Sequence, residues 1–180
     1  MVARGTAHAD TRVADQLVAR VDGRPIFLSE IRARAKPRLV QLDRSNPMTR
    51  VAETQKIHAE ILELQIEDEI LRVLAVHLHV SIEDSLLEDV IEVGARHYGY
   101  TKEAYLAEAA GQGYSAAEYR SEIRKQLVRQ RVILALGVKD KTLGPYPEEE
   151  AARSAWMTRA ETAVLAREKR KACIERFVRW

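Results

Sequence analysis

The chain has 180 residues, of which 46% are hydrophobic and 31% are charged, a composition typical of a folded protein with one core or two small ones. No apolar run approaches the roughly 20 residues that a membrane-spanning helix needs, so stable membrane insertion is not expected. The single cysteine, Cys173, excludes an internal disulfide and a cysteine-based metal cage.

The formal net charge of +2 conceals a strong segregation of charge along the chain. Residues 1–50 carry +5, residues 51–119 carry −10 and residues 120–180 carry +7. A basic C-terminal third is compatible with a nucleic-acid surface, but oppositely charged parts of one chain can also dock on each other. We favour docking. The two interpretations differ most for YRSEIRKQLVRQR, residues 119–131.

Residues 1–16 are interpreted as a disordered leader or a processed segment. Ala7-His8-Ala9 has the small-x-small form of a signal-peptidase site, but the six residues before it contain no apolar h-region. The next stretch, LVARVDGRPIFLSEI, predicts a β-hairpin with Asp22-Gly23 in a type I′ turn and Pro25 on an edge strand. Because a lone hairpin is marginal in water, it must pack on helices or pair with a strand from elsewhere.

From the end of the hairpin to residue 137, the sequence predicts only helices. Ser29 is the expected cap of a helix that reaches Leu42, with Pro37 as a kink or an early stop. A long helix over about 49–79 carries a wide apolar face with one gap at Asp68. So wide an apolar face indicates a central helix that packs on more than one side.

Three shorter helices follow, each introduced by a capping residue: Ser81, Thr101 and Ser115. Residues 138–147 then form a linker, and residues 148–180 are predicted as a C-terminal helix that begins with a run of acids. The predicted fold is therefore all-α, mainly helical, with a short N-terminal β-hairpin.

Metal and catalytic chemistry have little support in the sequence. Three carboxylates share a face of the long helix: Glu60, Glu63 and Glu67. They lack the Glu-x-x-His repeats of a di-iron bundle, so they are interpreted as a solvated face. His77 and His79 point to different sides of a helix, and Cys173 has no identifiable base. Neither a cofactor nor a metal is expected, and the chain is not predicted to be an enzyme.

Aromatic side chains are more informative. Five of the six tyrosines fall within 22 residues, around the turns between the short helices: Tyr98, Tyr100, Tyr105, Tyr114 and Tyr119. They can simply pack those turns. They can also form a rim of amphipathic rings that binds apolar peptide, since tyrosine supplies contact area at a small entropy loss.

Three motifs carry a resemblance to a known family. The chain has a hairpin that ends in LSE, the helix EILELQIEDEILRVLAVHLHVSIED, and YGYTKEAYLAEAAGQGYSAAEYRSEIRKQLVRQRVI. Residues 17–137 resemble the N-terminal domain of SurA-type periplasmic chaperones, and YRSEIRKQL is the most specific motif. Residues 148–165, with AARSAWM, are similar to the C-terminal helix that packs back on that domain in the family. The parvulin-type prolyl isomerase domains that lie between these pieces in full-length members are replaced here by residues 138–147.

The resemblance implies an ATP-independent chaperone that binds extended, aromatic-rich segments of unfolded outer-membrane proteins, without isomerase activity. It implies a periplasmic location, with Ala7-His8-Ala9 as a remnant of a cleavage site; a genuine start at Met1 would instead favour the cytoplasm. Nucleic acid is not an expected partner. A homodimer formed by swapping of the C-terminal helix is a further expectation, because the linker is short.

The expected client-binding residues are Tyr98, Tyr105, Tyr119, Trp156 and Met157. For Trp156 and Met157, docking into the core is an equally good interpretation. Two other functional classes remain open. One is a basic helical protein that binds nucleic acid through residues 120–131 and 167–179, and the other is a structural or assembly partner with one cognate protein.

Overall fold

The computed structural model describes residues 15–42 and 47–180. The described residues form six helices: α1 Leu28–Leu42, α2 Pro47–His77, α3 Asp84–His97, α4 Lys102–Gly111, α5 Ala116–Gly137 and α6 Glu150–Lys171. They also form three short strands: β1 Leu17–Val21, β2 Arg24–Phe27 and β3 Ile174–Arg176. The prediction of an all-α fold with an N-terminal hairpin is confirmed, and the hairpin is extended by a third strand.

The strands form an antiparallel sheet in the order β2-β1-β3. β1 and β2 are joined by Asp22 and Gly23, whose φ angles of 48° and 84° are those of the predicted type I′ turn. β3 comes from the other end of the chain and pairs with the free side of β1. The hairpin therefore has both kinds of support that its marginal stability required, a third strand and helices beneath it.

The C-terminal helix predicted over 148–180 is wrong beyond Lys171, where α6 ends. Ala172 is extended, and the next residue is held by the hairpin turn. The backbone N–H of Cys173 donates to the Asp22 carboxylate at 2.8 Å, and the Asp22 N–H donates to the Cys173 carbonyl at 2.9 Å. This tertiary contact turns the chain into β3 instead of a further helical turn.

The start of α1 also depends on a distant residue. The prediction that Ser29 caps this helix is wrong, because Ser29 lies inside the first helical turn. The Asp15 carboxylate accepts from the backbone N–H and the hydroxyl of Ser29, and Glu30 reaches back to accept from the Phe27 N–H at 2.7 Å. The helix continues through Pro37 to Leu42, so this proline does not end it. Residues 1–14 of the predicted leader, and Ser45-Asn46, lie outside the described residues.

The remaining caps agree in part with the sequence. Thr101 accepts from the Ala104 N–H, and Ser115 forms a reciprocal capping box with Glu118, as predicted. Ser81 does not cap α3, because that helix begins only at Asp84, after an extended Glu83. In the linker, residues Lys141–Leu143 form a short 3-10 helix before α6 begins.

α2 is the central helix, as its wide apolar face predicted. Its apolar residues from Ile57 to Ile70 pack with the sheet and α1, and those from Leu71 onward pack with α5 and α6 around Trp156. A third, smaller core around Ile91 joins α3, α4 and α5. α5 thus belongs to two cores, and it connects the α3–α4 unit to the rest of the molecule.

Candidate functional site

The five clustered tyrosines lie where the short helices meet. Tyr98 ends α3, and Tyr100 follows Gly99, whose φ of 74° only glycine adopts freely. Tyr105 lies in the first half of α4, and Tyr119 is in the first turns of α5. Tyr114 comes from the turn between these two helices. These positions bring five rings from the α3–α4 turn, α4, the α4–α5 turn and α5 to one place.

The rings form one continuous cluster. Tyr105 is at its centre, with ring centroids 6.1 Å from Tyr98, 6.5 Å from Tyr100 and 5.8 Å from Tyr119. Tyr114 lies 5.9 Å from Tyr119 and extends the cluster on the far side. Tyr98 stacks nearly parallel on Tyr105, whereas Tyr119 contacts it edge to face, and both arrangements are favourable for aromatic pairs.

Inner and outer rings differ in exposure. Tyr105 and Tyr119 are half-buried, and the Tyr119 hydroxyl donates to the Tyr105 hydroxyl at 2.9 Å. Burial, and then this hydrogen bond, raise the pKa of Tyr119, so that its ring stays neutral. Tyr98 and Tyr100 are 66% and 45% exposed. The cluster therefore has a fixed base that carries two outward rings.

Charged side chains border the cluster. Glu88 on α3 accepts from Arg120 on α5 at 2.7 Å and pairs with Lys102 on α4. The ion pairs hold the three helices together and give the apolar rings a polar surround.

Trp156 and Met157 lie elsewhere. Trp156 is only 1% exposed and packs inside the core of α2, α5 and α6, with its indole N–H 3.4 Å from the Gly144 carbonyl. Its ring is therefore not accessible to a client in this conformation, and its observed role is core packing. Met157 is partly buried and lines a cleft of about 770 Å³ between α5 and α6, together with Leu134 and Tyr146.

The structure does not bring the five predicted client-binding residues together. Tyr119 is at the start of α5 and the Trp156 ring packs on Gly137 at its end. These positions are 18 residues apart, or about 27 Å along a helix. Tyr98, Tyr105 and Tyr119 form one site, and Met157 belongs to a second, separate cleft.

The basic stretch 119–131 is bonded to the rest of the chain. Each of its five cations has an internal partner: Arg120 with Glu88, Arg124 with Asp84, Lys125 with Glu122, Arg129 with Glu67, Asp68 and Glu161, and Arg131 with the Ser81 carbonyl. All but Lys125 reach other elements or the segment before α3. The expectation that the basic and acidic parts dock on each other is confirmed for this stretch.

Sequence reasoning missed a polar junction of four helices. Asp68 on α2 pairs with Arg34 on α1 at 2.7 Å and with Arg129 on α5 at 3.1 Å, and Arg129 also pairs with Glu161 on α6. Burial lowers the pKa of Arg129, but its bonds to the carboxylates raise it more, so this guanidinium stays charged. The signal in the sequence was Asp68 itself, the one gap in the apolar face of α2. A groove between α1, α2 and α5, lined in part by Tyr114, runs beside this junction.

The acids of α2 are solvated in part: the side chains of Glu60 and Glu63 are 41% and 44% exposed, as a solvated face requires, whereas that of Glu67 is only 16% exposed. Glu60 pairs with Arg38 on α1, Glu63 with Arg176 on β3, and Glu67 with Arg129 and Lys169. These acids attach α2 to four other elements.

Within residues 15–42 and 47–180, no group of three or more His, Cys, Asp or Glu side chains is placed to hold a metal ion. None of the helices in this part of the chain is long and apolar enough to cross a membrane.

Comparison with protein families agrees with the motifs. The profile of the SurA-like N-terminal domain matches residues 2–133, which include the hairpin, α1 to α4 and most of α5. A search of curated proteins finds no match to the chain. The matched domain is the non-catalytic chaperone part of such proteins, and it indicates a chaperone-type role. Since the match extends over well more than half of the sequence, the chain belongs to the family of proteins with a SurA-like N-terminal domain.

Proposed function

We propose that this protein is an ATP-independent periplasmic holdase, which binds unfolded, aromatic-rich segments of outer-membrane proteins and has no isomerase activity. The observation that carries the proposal is the tyrosine cluster. Two exposed rings, Tyr98 and Tyr100, stand on a fixed base of three more. Such a surface offers aromatic contact area whose side chains lose little further entropy on binding.

The surround of the cluster also suits a holdase. A chaperone of this kind needs exposed apolar surface, a polar border that keeps it soluble, and affinity low enough for release without ATP. The Glu88 ion pairs with Arg120 and Lys102 supply the border. Within the cluster, the strongly exposed aromatic area is limited to the rings of Tyr98 and Tyr100, which favours weak and reversible contacts.

Binding of nucleic acid is less well supported. A phosphate-binding helix needs cations that are free to face the backbone of the nucleic acid. Those of residues 120–131 are bonded to acids or carbonyls of the chain itself, and Lys169 and Arg176 pair with Glu63. If the protein is instead a structural or assembly partner, it should bind one cognate protein tightly and show no general affinity for unfolded chains.

The test is suppression of aggregation of a urea-unfolded outer-membrane barrel, diluted into buffer with stoichiometric amounts of the protein. We expect the wild type to suppress light scattering without ATP. The variant Tyr98→Ala/Tyr100→Ala should lose most of this activity, because it removes both exposed rings and leaves the base in place. Val76→Ala is the matched control, since Val76 is 64% exposed but lies outside the cluster.

Three outcomes would count against the proposal. A well-folded wild type that leaves aggregation unchanged removes the holdase function. Equal losses in the tyrosine variant and the Val76 control remove the cluster as its site. A mobility shift of duplex DNA that weakens steeply with salt would favour the nucleic-acid class instead.

A homodimer formed by exchange of the C-terminal helix is a separate proposal. α6 packs here on α5 and α2 of its own chain, and the linker 138–147 would have to open for an exchange. Light scattering at increasing protein concentration tests this. A mass of twice 20.4 kDa supports exchange or another dimer, and a constant monomer mass rejects it.

A further inference from the structure

The two outer edges of the sheet differ in their capacity to accept another strand. β2 forms one edge, and Pro25 lies there opposite Arg20. The backbone N–H and C=O of Arg20 point toward β3 and not toward β2. Arg20 and Pro25 are therefore a non-hydrogen-bonded pair, and the backbone carbonyl of Pro25 points away from β1. Proline has no N–H, and the outer edge of β2 therefore lacks a donor at its middle. The outer edge of β3, Ile174–Arg176, contains no proline.

The backbone of β3 presents a regular row of unpaired groups. The Phe177 N–H donates to the Val18 carbonyl at 2.9 Å, and the Asp22 N–H donates to the Cys173 carbonyl at 2.9 Å. Peptide groups alternate in an antiparallel pair, so the N–H and C=O groups of Ile174 and Arg176 point away from β1. None of the described residues hydrogen-bonds to these four groups. Such a row is a template for an added strand.

Side chains next to this edge favour an aromatic partner. Ile174 faces the core and Arg176 pairs with Glu63 on α2, so these two side chains lie on the inner face of the sheet. Phe177 lies on the outer face, is 50% exposed, and has the Arg20 guanidinium carbon 5.7 Å from its ring centroid. An aromatic or β-branched side chain on the outer face of an added strand would pack against this ring.

A second copy of the same strand is a poor partner. Full antiparallel overlap of β3 with another β3 places Glu175 of one copy directly opposite Glu175 of the other. This position is a non-hydrogen-bonded pair, where side chains are closest, and like charges there are unfavourable. The charge of the edge therefore favours a strand of different sequence.

We propose that the outer edge of β3 binds an extended, aromatic-containing polypeptide segment as an added β-strand. This inference rests on the proposed holdase function and gives it a second binding mode, in which main-chain hydrogen bonds supply the contact and Phe177 selects aromatic side chains. Four backbone groups at most take part, which keeps the contact weak and reversible.

Amide hydrogen exchange on the full chain tests the proposal, with a synthetic peptide of alternating tyrosine and threonine as the probe. The amides of Ile174 and Arg176 should exchange rapidly in the free protein and at least tenfold more slowly at saturating peptide. The amide of Glu175, which faces β1, should change little. Peptide binding that protects the tyrosine turns but not Ile174 and Arg176 overturns the edge site and leaves the holdase function in place.

Two other outcomes also overturn the edge site. If the peptide binds nowhere and barrel aggregation is not suppressed, the proposed function fails as well. If Ile174 and Arg176 become protected as protein concentration rises without peptide, the occupant is a second copy of the chain.

A pair of variants gives an independent measurement. Arg176→Pro removes the outward N–H and the ion pair with Glu63, whereas Arg176→Ala removes only the ion pair. Peptide affinity should be at least fivefold lower in Arg176→Pro than in Arg176→Ala. Equal affinities in the two folded variants would overturn the proposal, and the exchange experiment decides if Arg176→Pro does not fold.

Discussion

At the scale of single residues, the contact between Gly137 and Trp156 fixes how closely α5 and α6 approach. A Cβ on Gly137 would lie 2.7 Å from Cη2 of Trp156 and 3.0 Å from Cβ of Ala160, both of which are buried. Gly137→Ala should therefore lower the free energy of unfolding by about 1–2 kcal/mol, because overpacking outweighs the gain in helix propensity. Equilibrium urea unfolding measures this loss.

Gly111→Ala is the matched control for that substitution. Gly111 also ends a helix, α4, but a Cβ there would meet nothing within 4 Å. The Gly111→Ala variant should be as stable as the wild type or slightly more stable, because only the gain in helix propensity remains. A similar loss in both variants would mean that the backbone, and not contact with Trp156, requires glycine at position 137.

The hydroxyl of Tyr119 is the second residue-scale feature with a measurable effect. Tyr119→Phe removes its hydrogen bond to Tyr105 and should lower the free energy of unfolding by about 0.5–1.5 kcal/mol. In Tyr98→Phe the lost hydroxyl belongs to an exposed ring with no hydrogen bond among the described residues, so stability should not change. Equal stability of both variants, compared by thermal unfolding, would show that the hydroxyl pair contributes nothing.

At the scale of elements, the helices that the sequence predicted well are those whose ends are set locally. Thr101 and Ser115 cap α4 and α5 through groups three residues away, and such a pattern can be found in a sequence. Ser29 and Ser81 have the same residue type but do not cap. For α1 the decisive group is Asp15, fourteen residues earlier, which no local pattern identifies.

β3 could not be predicted for a similar reason. Three residues are too few for a periodic signal, and the isolated segment has no feature that excludes a further helical turn. Its conformation comes from Asp22, 151 residues away from Cys173, which accepts the backbone N–H there. The candidate site divides in the same way. The tyrosine positions were visible in the sequence, but the distance between them and Trp156 follows from how α5 and α6 pack.

The docking of α5 on its neighbours depends on Arg129. Arg129→Met should lower the free energy of unfolding by about 2–4 kcal/mol, because Glu67 and Asp68 are poorly exposed and each would lose one of its two cations, keeping only Lys169 and Arg34 respectively. Arg96→Met is the control, since the Arg96–Glu92 pair is exposed and screened by solvent, so that its loss should leave the stability almost unchanged. Chemical denaturation of both variants makes the comparison. Equal effects would mean that apolar packing alone holds α5 in place.

At the scale of the whole molecule, the segregation of charge along the sequence reflects which parts of the chain pack on each other. The acidic block 51–119 forms α2 to α4, and cations from the basic block 120–180 bind it at several places. Arg120 and Arg124 hold α3 or the segment before it, Lys169 attaches α6 to α2, and Arg176 attaches β3 to α2. Acid should therefore weaken the closed chain, because protonation removes the acidic half of these pairs.

Glu88 allows this expectation to be tested at one group. Hydrogen bonds from Arg120, and then from Lys102, lower its pKa from 4.5 to about 2. Because the folded-state pKa lies below the unfolded one, the carboxylate stabilises the fold above about pH 4.5 and loses this contribution as the pH falls toward 2. Glu88→Gln should be less stable than the wild type at neutral pH, and the difference should disappear near pH 2.

Urea unfolding of the wild type and Glu88→Gln at several pH values between 2 and 7 measures that difference. Glu108→Gln is the control, because Glu108 is exposed and has no ion pair among the described residues, so its curve should run parallel to that of the wild type. A Glu88→Gln curve that also runs parallel down to pH 2 would show that the ion pairs around the tyrosine cluster do not stabilise the fold. The border of the cluster would then contribute solubility alone, and the attachment of α3 and α4 to α5 would depend on the small apolar core around Ile91.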